Sequence, residues 1–242
     1  MDLTVLGCSG SYGAPGGEAC SGYLLRTASG TAIWMDCGNG SFSNLHKHID
    51  PGELDAVIIT HSHPDHCVDI FGLHVLYTYG LCRRGLPVIA TEDVEPKLRA
   101  LVSDWHGTFE WRTVGENDVQ SVNEVDLRFS ITDHPVPTVA VLAEAAQRRL
   151  VYTSDTGPLW TPDVFGPADL VVSEASYLHD DRRSPIHLSA YQAGKAARAA
   201  KADRLVLTHI WPEIDTTLSH AEGVDGFGGD VTVARAGDRY TI

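Results

Sequence analysis

Two β-sheets packed together and covered by helices, an α/β (α+β) arrangement, form the fold class predicted for this 242-residue chain. Three observations predict it. Short apolar runs of strand length recur along the sequence, and turn-forming Gly, Asp and Pro residues separate them. Helical spacing appears after the fifth run and again in the last third, so the strands fall into two groups, each interleaved with or followed by helices.

Residues 3–6, 23–25, 32–35 and 56–59 read as strands between Gly-rich or Asp/Pro-bearing turns. Residues 88–90 form the next, followed by a helical pattern with Val94, Leu98, Leu101 and Val102 on one face. A β-rich stretch covers 109–114, 125–131, 136–142 and 150–152. Then come a strand at 170–172, an Ala-rich helix at 189–200 and strands at 205–207 and 231–234. Gly194 inside that helix costs about 1 kcal/mol against Ala, which predicts tight packing there. No Pro-rich linker or low-complexity block divides the chain, so residues 1–242 are read as one domain.

Composition bounds the function. Apolar residues make up 43% and charged residues 21%, enough for a sizeable core. The net charge of −14 repels phosphate backbones at long range and disfavours a protein that grips long nucleic acid. Small anions stay open, because bound metal ions can supply positive charge locally. Five cysteines, with no CxxC among them, argue against a disulfide scaffold or a thiolate zinc finger and for a reducing compartment. No stretch reaches the length of a membrane span, and the start lacks a basic n-region, so the expectation is a cytoplasmic protein with no membrane partner.

The strongest signal is His61-Ser62-His63-Pro64-Asp65-His66, directly after the strand 56–59. In an extended stretch His61 and His63 point to the same side. Pro64 suits a helix N1 position, which places Asp65 and His66 on the first turn. Three imidazoles and a carboxylate without sulfur suit zinc and its first-row neighbours. Further candidates lie at similar strand ends: His134 after 127–132, Asp155 after 150–152 and His209 after 205–208. Singly, each has an ordinary structural explanation, such as a turn Asp before Thr-Gly. Together they follow one rule, an apolar strand ending in His or Asp, and five His with two Asp suffice for two metals sharing a carboxylate.

HSHPDH resembles the HxHxDH signature of the metallo-β-lactamase fold, and the resemblance extends from the Gly7-Cys8-Ser9-Gly10-Ser11 turn to His209. It implies a four-layer αββα sandwich with two divalent metal ions at one edge of the sheets. By resemblance His61, His63 and His134 hold one metal, Asp65, His66 and His209 hold the second, and Asp155 bridges them. Zinc is the first expectation, and the mixed N/O ligand set accommodates manganese as well. True β-lactamases of this fold match poorly, because several use a Cys ligand and no Cys stands at these positions.

Glu174 in Ser173-Glu174-Ala175-Ser176 and His187 in His187-Leu188-Ser189 resemble elements of the phosphodiesterase branch, which includes ribonuclease Z. There the Glu orients a His that contacts the scissile phosphate or protonates the leaving oxygen, so Asp65, Glu174 and His187 are the expected catalytic group. The alternative is that Glu174 caps a loop and His187 merely precedes a helix capped by Ser189. Ribonuclease Z carries a long basic arm between the residues matching Asp155 and His187, and the interval here leaves little room for one. Ile210-Trp211-Pro212 also replaces the Ser-x-Arg-Tyr that often follows in the tRNA enzymes. The pattern is more similar to actinobacterial-type atypical class II cyclic-nucleotide phosphodiesterases, which implies a small-molecule phosphodiester as substrate. A ribonuclease Z-like tRNA 3′ endonuclease and a lactone or thioester hydrolase are the alternatives, and a metal-holding protein without turnover is a third. The family is often dimeric, so a homodimer is also expected. Arg182 and Arg183 offer a phosphate contact or, more ordinarily, a solvated loop. Trp160 and Trp211 offer a stacking surface or, more ordinarily, core. Substrate selection is expected in loops around 80–86 and 211–229.

Overall fold

The computed structural model describes residues 1–102, 104–180 and 185–242. Fourteen strands form two seven-stranded sheets among these residues. The first runs in the order β14 (Arg239–Thr241), β1 (Asp2–Gly7), β2 (Gly22–Arg26), β3 (Ala32–Met35), β4 (Ala56–Ile59), β5 (Leu86–Ala90), β6 (Phe109–Thr113). The second runs β13 (Asp230–Val233), β12 (Arg204–Thr208), β11 (Leu170–Glu174), β10 (Arg148–Tyr152), β9 (Val139–Ala145), β8 (Val125–Ile131), β7 (Val119–Val122). Each sheet is part antiparallel and part parallel. Strands β3 to β6 are parallel in the first sheet and β10 to β13 in the second.

Period-two alternation sorts the strand residues into layers. Ala56 and Ile58 of β4 join Leu3, Phe129, Val141, Val172 and Val206 in the core between the sheets. Their neighbours Val57 and Ile59 face outward, onto α1 (Ser41–Leu45), α2 (Pro64–Cys67), α3 (Ile70–Val75) and α4 (Val94–Leu98) through Leu45, Cys67, Ile70, Leu73 and Val94. On the other sheet Val171, Leu205 and Leu207 face α5 (Ala190–Ala199) and α6 (Thr216–Phe227) through Ala193, Ala197 and Phe227. The result is a four-layer αββα sandwich, the arrangement expected from the sequence.

Several boundaries differ from the sequence reading. The strand expected at 136–142 lies at Val139–Ala145, because Pro137 has no N–H for a ladder. The helix expected to reach Val102 stops at Leu98, and Leu101 is exposed. The presumed loop at 211–229 contains α6, and the segment before β5 continues α3 as a π-helix at Leu76–Leu81. No helix among the described residues is long and apolar enough to cross a membrane.

Candidate metal centre

The end of β4 delivers the first four side chains. His63 is the extended N-cap of α2 (φ −67°, ψ 143°), Pro64 opens the helix, and Asp65 and His66 stand in its first turn. His61 and His66 are fully buried, and Asp65 is buried beside them. His134 sits in the turn between β8 and β9, Asp155 just beyond β10 and His209 directly after β12. The two sheets thus contribute to one edge. Three backbone positions there are strained. Asp36, Ser154 and His209, each just past a strand, have φ between 54° and 56°, a left-handed conformation costly for residues other than Gly.

Nitrogen and oxygen atoms of the expected ligands converge in two groups, and His187 makes a further one with Asp155 and His209. Nε2 of His61 lies 3.1 Å from Nδ1 of His63, which lies 3.3 Å from Nε2 of His134. Asp155 Oδ2 completes the group at 3.6 Å from His61 Nε2 and 3.9 Å from His134 Nε2. The other carboxylate oxygen, Oδ1, faces Nε2 of His66 at 3.3 Å and Nε2 of His209 at 3.5 Å. Asp65 Oδ2 faces the same two nitrogens at 3.5 and 3.2 Å. A tetrahedral ion with bonds near 2.0–2.1 Å needs ligand atoms roughly 3.3–3.4 Å apart, so these spacings suit two such ions. A second observation agrees. His66 Nε2 and Asp155 Oδ1 are buried with no hydrogen-bond partner, a condition that costs about 1–3 kcal/mol per group unless a cation satisfies it. The residues present therefore fit a pair of metal ions.

Four of the five imidazoles, those of His61, His66, His134 and His209, are aimed by a partner on the other nitrogen, the arrangement that fixes a ligand's tautomer. Asp36 Oδ2 accepts from His66 Nδ1 at 2.8 Å and from the Tyr152 hydroxyl at 2.7 Å, while Oδ1 takes the Thr60 amide at 2.8 Å. His61 Nδ1 meets the Thr60 hydroxyl at 3.2 Å, and His134 Nδ1 meets the Ile186 carbonyl at 3.2 Å. His209 Nδ1 meets Ser176 Oγ at 3.0 Å, and that hydroxyl donates to Glu174 Oε2 at 2.9 Å. Asp36, Thr60 and Ser176 were not singled out in the sequence. Asp36 nevertheless obeys the same rule as the ligands, an apolar strand closed by an acid.

Carboxylates outnumber charged imidazoles within the cluster. Burial holds His61, His63 and His134 below the ordinary imidazole range, helped for His61 by the neighbouring His66. They are neutral and ready to donate lone pairs. Burial also opposes charge on His66, but Asp155, Asp65 and Asp36 around it raise its pKa well above the usual value. Burial pushes Asp155 and Asp65 up, and the histidines outweigh it, with His209 and His66 chief among them, so both stay ionised.

Glu174 and His187 stand at the lip of this cluster. Glu174 is buried at the end of β11 and accepts from His187 Nδ1 at 2.9 Å, from the Thr156 amide at 2.7 Å and from the Leu188 amide at 3.2 Å. His187 Nδ1 lies 4.0 Å from Asp155 Oδ2. Burial works against a charged His187, yet Glu174, with help from Asp155, raises its pKa to about 9. Ser189 meanwhile caps α5 through a reciprocal box with Gln192, so the capping and site-facing readings of this segment coexist.

Other expected contacts are placed elsewhere. Trp160 is buried and donates to Ser130 Oγ at 3.0 Å. Trp211 packs edge-on against Tyr177 and Tyr12 and lines a separate cavity with Cys8 and Ile210. Arg182 and Arg183 lie outside the described residues. The turn after β1 does more than reverse the chain. The Ser11 amide reaches His209 Nε2 at 3.3 Å, and a Cβ on Gly10 would lie 2.4 Å from the His209 carbonyl oxygen.

Residues 31–210 match the family model described as a beta-lactamase superfamily domain. The chain is 30% identical over 253 residues to the probable metallo-hydrolase YhfI of Bacillus subtilis, covering 98% of each. The crystal structure of YhfI, described as a metallo-beta-lactamase fold protein, superposes with a TM-score of 0.89 at 28% identity, over 99% of this chain and 98% of that one. A ribonuclease Z from Kineococcus radiotolerans is 30% identical over 297 residues, covering 98% of this chain and 93% of the relative.

Proposed function

The chain belongs to the beta-lactamase superfamily and is a metallo-hydrolase of that fold, and we propose that it is a phosphodiesterase acting on a small phosphodiester such as a cyclic nucleotide. In this reading His61, His63 and His134 would hold one divalent metal ion, Asp65, His66 and His209 would hold the other, and Asp155 stands between the two sets, where it could serve both. Zinc or manganese bound there would activate a water and neutralise the phosphoryl oxygens.

The observation that carries the reading is the Glu174–His187 pair. With Nδ1 committed to Glu174 at 2.9 Å, the proton that matters sits on Nε2 of His187. A pKa raised to about 9 keeps it there at neutral pH. A phosphodiester must expel an alkoxide, and a proton donor at that point lowers the barrier. Asp65 helps orient the attacking water. Glu174 also fixes the Thr156 amide beside Asp155, so one carboxylate aligns donor and metal cradle together.

A tRNA substrate is disfavoured. The alignment with the Kineococcus ribonuclease Z runs over 297 residues against 242 in this chain, so that relative carries segments absent here. The net charge of −14 repels a long polyanion. Five free cysteines support a reducing, cytoplasmic setting.

The test is metal content together with hydrolysis of bis(p-nitrophenyl) phosphate and of 2′,3′- and 3′,5′-cyclic AMP, on wild type and His187→Ala. The expected result is two metals per chain in both proteins, diester turnover in wild type, and a loss of about 10²–10⁴ in kcat in the variant. Two metals with no diester cleavage overturns the reading and turns attention to lactones and thioesters.

A further inference from the structure

His63 differs from the other four imidazoles of the candidate metal centre. Its Nδ1 faces His61 and His134 at 3.1 and 3.3 Å, and among the described residues no hydrogen bond reaches its Nε2. It is also only half-buried, whereas His61 and His66 are fully buried. The direction of this ring therefore depends on the backbone that carries it. That backbone is held from its far side. The alternation that turns His61 and His63 towards the centre turns Ser62 the other way, onto the start of α4. Ser62 Oγ donates to Asp93 Oδ2 at 2.7 Å, and Lys97 Nζ donates to both of those oxygens at 2.7 Å. Asp93 Oδ1 accepts from the Thr91 hydroxyl at 2.9 Å. The Ser62 carbonyl accepts from the Cys67 thiol at 3.6 Å, and the His63 carbonyl accepts the His66 amide at 3.0 Å.

Asp93 is the N-cap of α4, where an aspartate ordinarily accepts from the first amides of its own helix. It makes no such capping bond. Burial opposes its charge, and the hydrogen bonds from Lys97, Ser62 and Thr91 outweigh burial, so it stays ionised. An ionised acceptor makes the stronger hydrogen bond, and this one is directed at the residue between two candidate ligands. We infer that Asp93 is a positioning residue: through Ser62 it fixes the HSHPDH backbone so that His63 Nδ1 points at the ion shared with His61 and His134. The inference rests on the metal-ion reading of the centre and adds a support outside its seven candidate ligands. It also confines the dependence to one ion, because His66 and His209 of the other set have partners of their own in Asp36 and Ser176.

The experiment measures zinc affinity by competition with a chromophoric chelator. It uses wild type, Ser62→Ala, Ser62→Thr, Asp93→Ala and the variant carrying both alanines. No substrate enters the readout, so the result is independent of what the enzyme cleaves. Wild type is expected to hold two ions. In Ser62→Ala and in Asp93→Ala one dissociation constant should rise by about 10–100-fold while the other stays within about threefold, the loss usual when an outer partner of one ligand is removed. His63→Ala identifies the affected ion, since it removes that ion's ligand and should weaken the same constant. Ser62→Thr keeps the hydroxyl and should keep wild-type affinity. Because Ser62 and Asp93 act through one hydrogen bond, the double variant should lose no more than the worse single one. Unchanged affinities in the single variants, equal loss of both ions, or losses that add in the double variant would each overturn the inference and leave the metal centre standing. Fewer than two ions on wild type would instead remove the reading beneath it. Should Asp93→Ala fail to fold, the contrast between Ser62→Ala and Ser62→Thr decides the matter.

Discussion

Glu174 accepts hydrogen bonds from His187, Thr156, Leu188 and Ser176, so its charge is felt on both sides of the cluster. Replacing it with Gln keeps the shape and removes the charge. His187 then loses the main influence that raises its pKa, while burial continues to lower it. With the protonated form active, the wild-type rate should fall as pH rises through about 9, and in Glu174→Gln that fall should move to lower pH. A pH–rate profile of the two proteins measures it, and coincident alkaline limbs would refute it. The sign for stability is the same. A raised pKa stabilises the fold fully below the imidazole's ordinary 6.5, and the contribution is lost as pH climbs towards 9. At this scale the sequence was readily legible where chemistry is concentrated. Seven candidate ligands converge because six adjacent residues and three strand ends announce them. Asp36 stayed hidden because its partner His66 lies 30 positions away and only the sheet brings the two together.

Helices α5 and α6 pack closely enough that glycine is required where they meet. A Cβ on Gly194 would lie 2.6 Å from the Gly223 carbonyl oxygen and 2.8 Å from the Phe227 amide nitrogen, and one on Gly226 would lie 2.4 Å from the Tyr191 carbonyl oxygen. Gly194→Ala should therefore destabilise the protein by about 1–3 kcal/mol despite its better helix propensity. Chemical denaturation reads the loss, and an unchanged metal content would show that it is confined to the helix pair. The glycine in the predicted helix signalled that packing, whereas α6 was not foreseen. Its sequence, TTLSHAEGVDGF, has two Gly and little helix preference, so the helix depends on its partner more than on itself. The edge strands β7 and β14 were missed for a related reason. Both are short and largely solvated, so no apolar run marks them.

Over the whole molecule, the predicted layers emerged because strand alternation separates an inner core from two outer ones, a pattern written in the sequence itself. The candidate ligands are divided between the layers. His61, His63, Asp65 and His66 follow a strand of the first sheet, while His134, Asp155 and His209 follow strands of the second. Metals bound there would tie one sheet to the other. Removing them with a chelator should lower Tm by about 5–10 °C, the change expected when a ligand at a hundredfold over its Kd is withdrawn from a chain of this size. Reloading at neutral pH should release protons, since Asp155, Asp65 and Asp36 favour the charged form of His66 until a cation takes the proton's place. Titration calorimetry in buffers of different ionisation enthalpy measures that release, and none would contradict the assignment of His66 as a ligand. The same division has a consequence for biosynthesis. Because His209 follows the twelfth strand, a chain emerging from the ribosome presents the HSHPDH segment long before it can close around a cation. Completion of the centre is thus an event of the finished polypeptide, and a product broken off before residue 209 would be marked as incomplete by its inability to retain both ions.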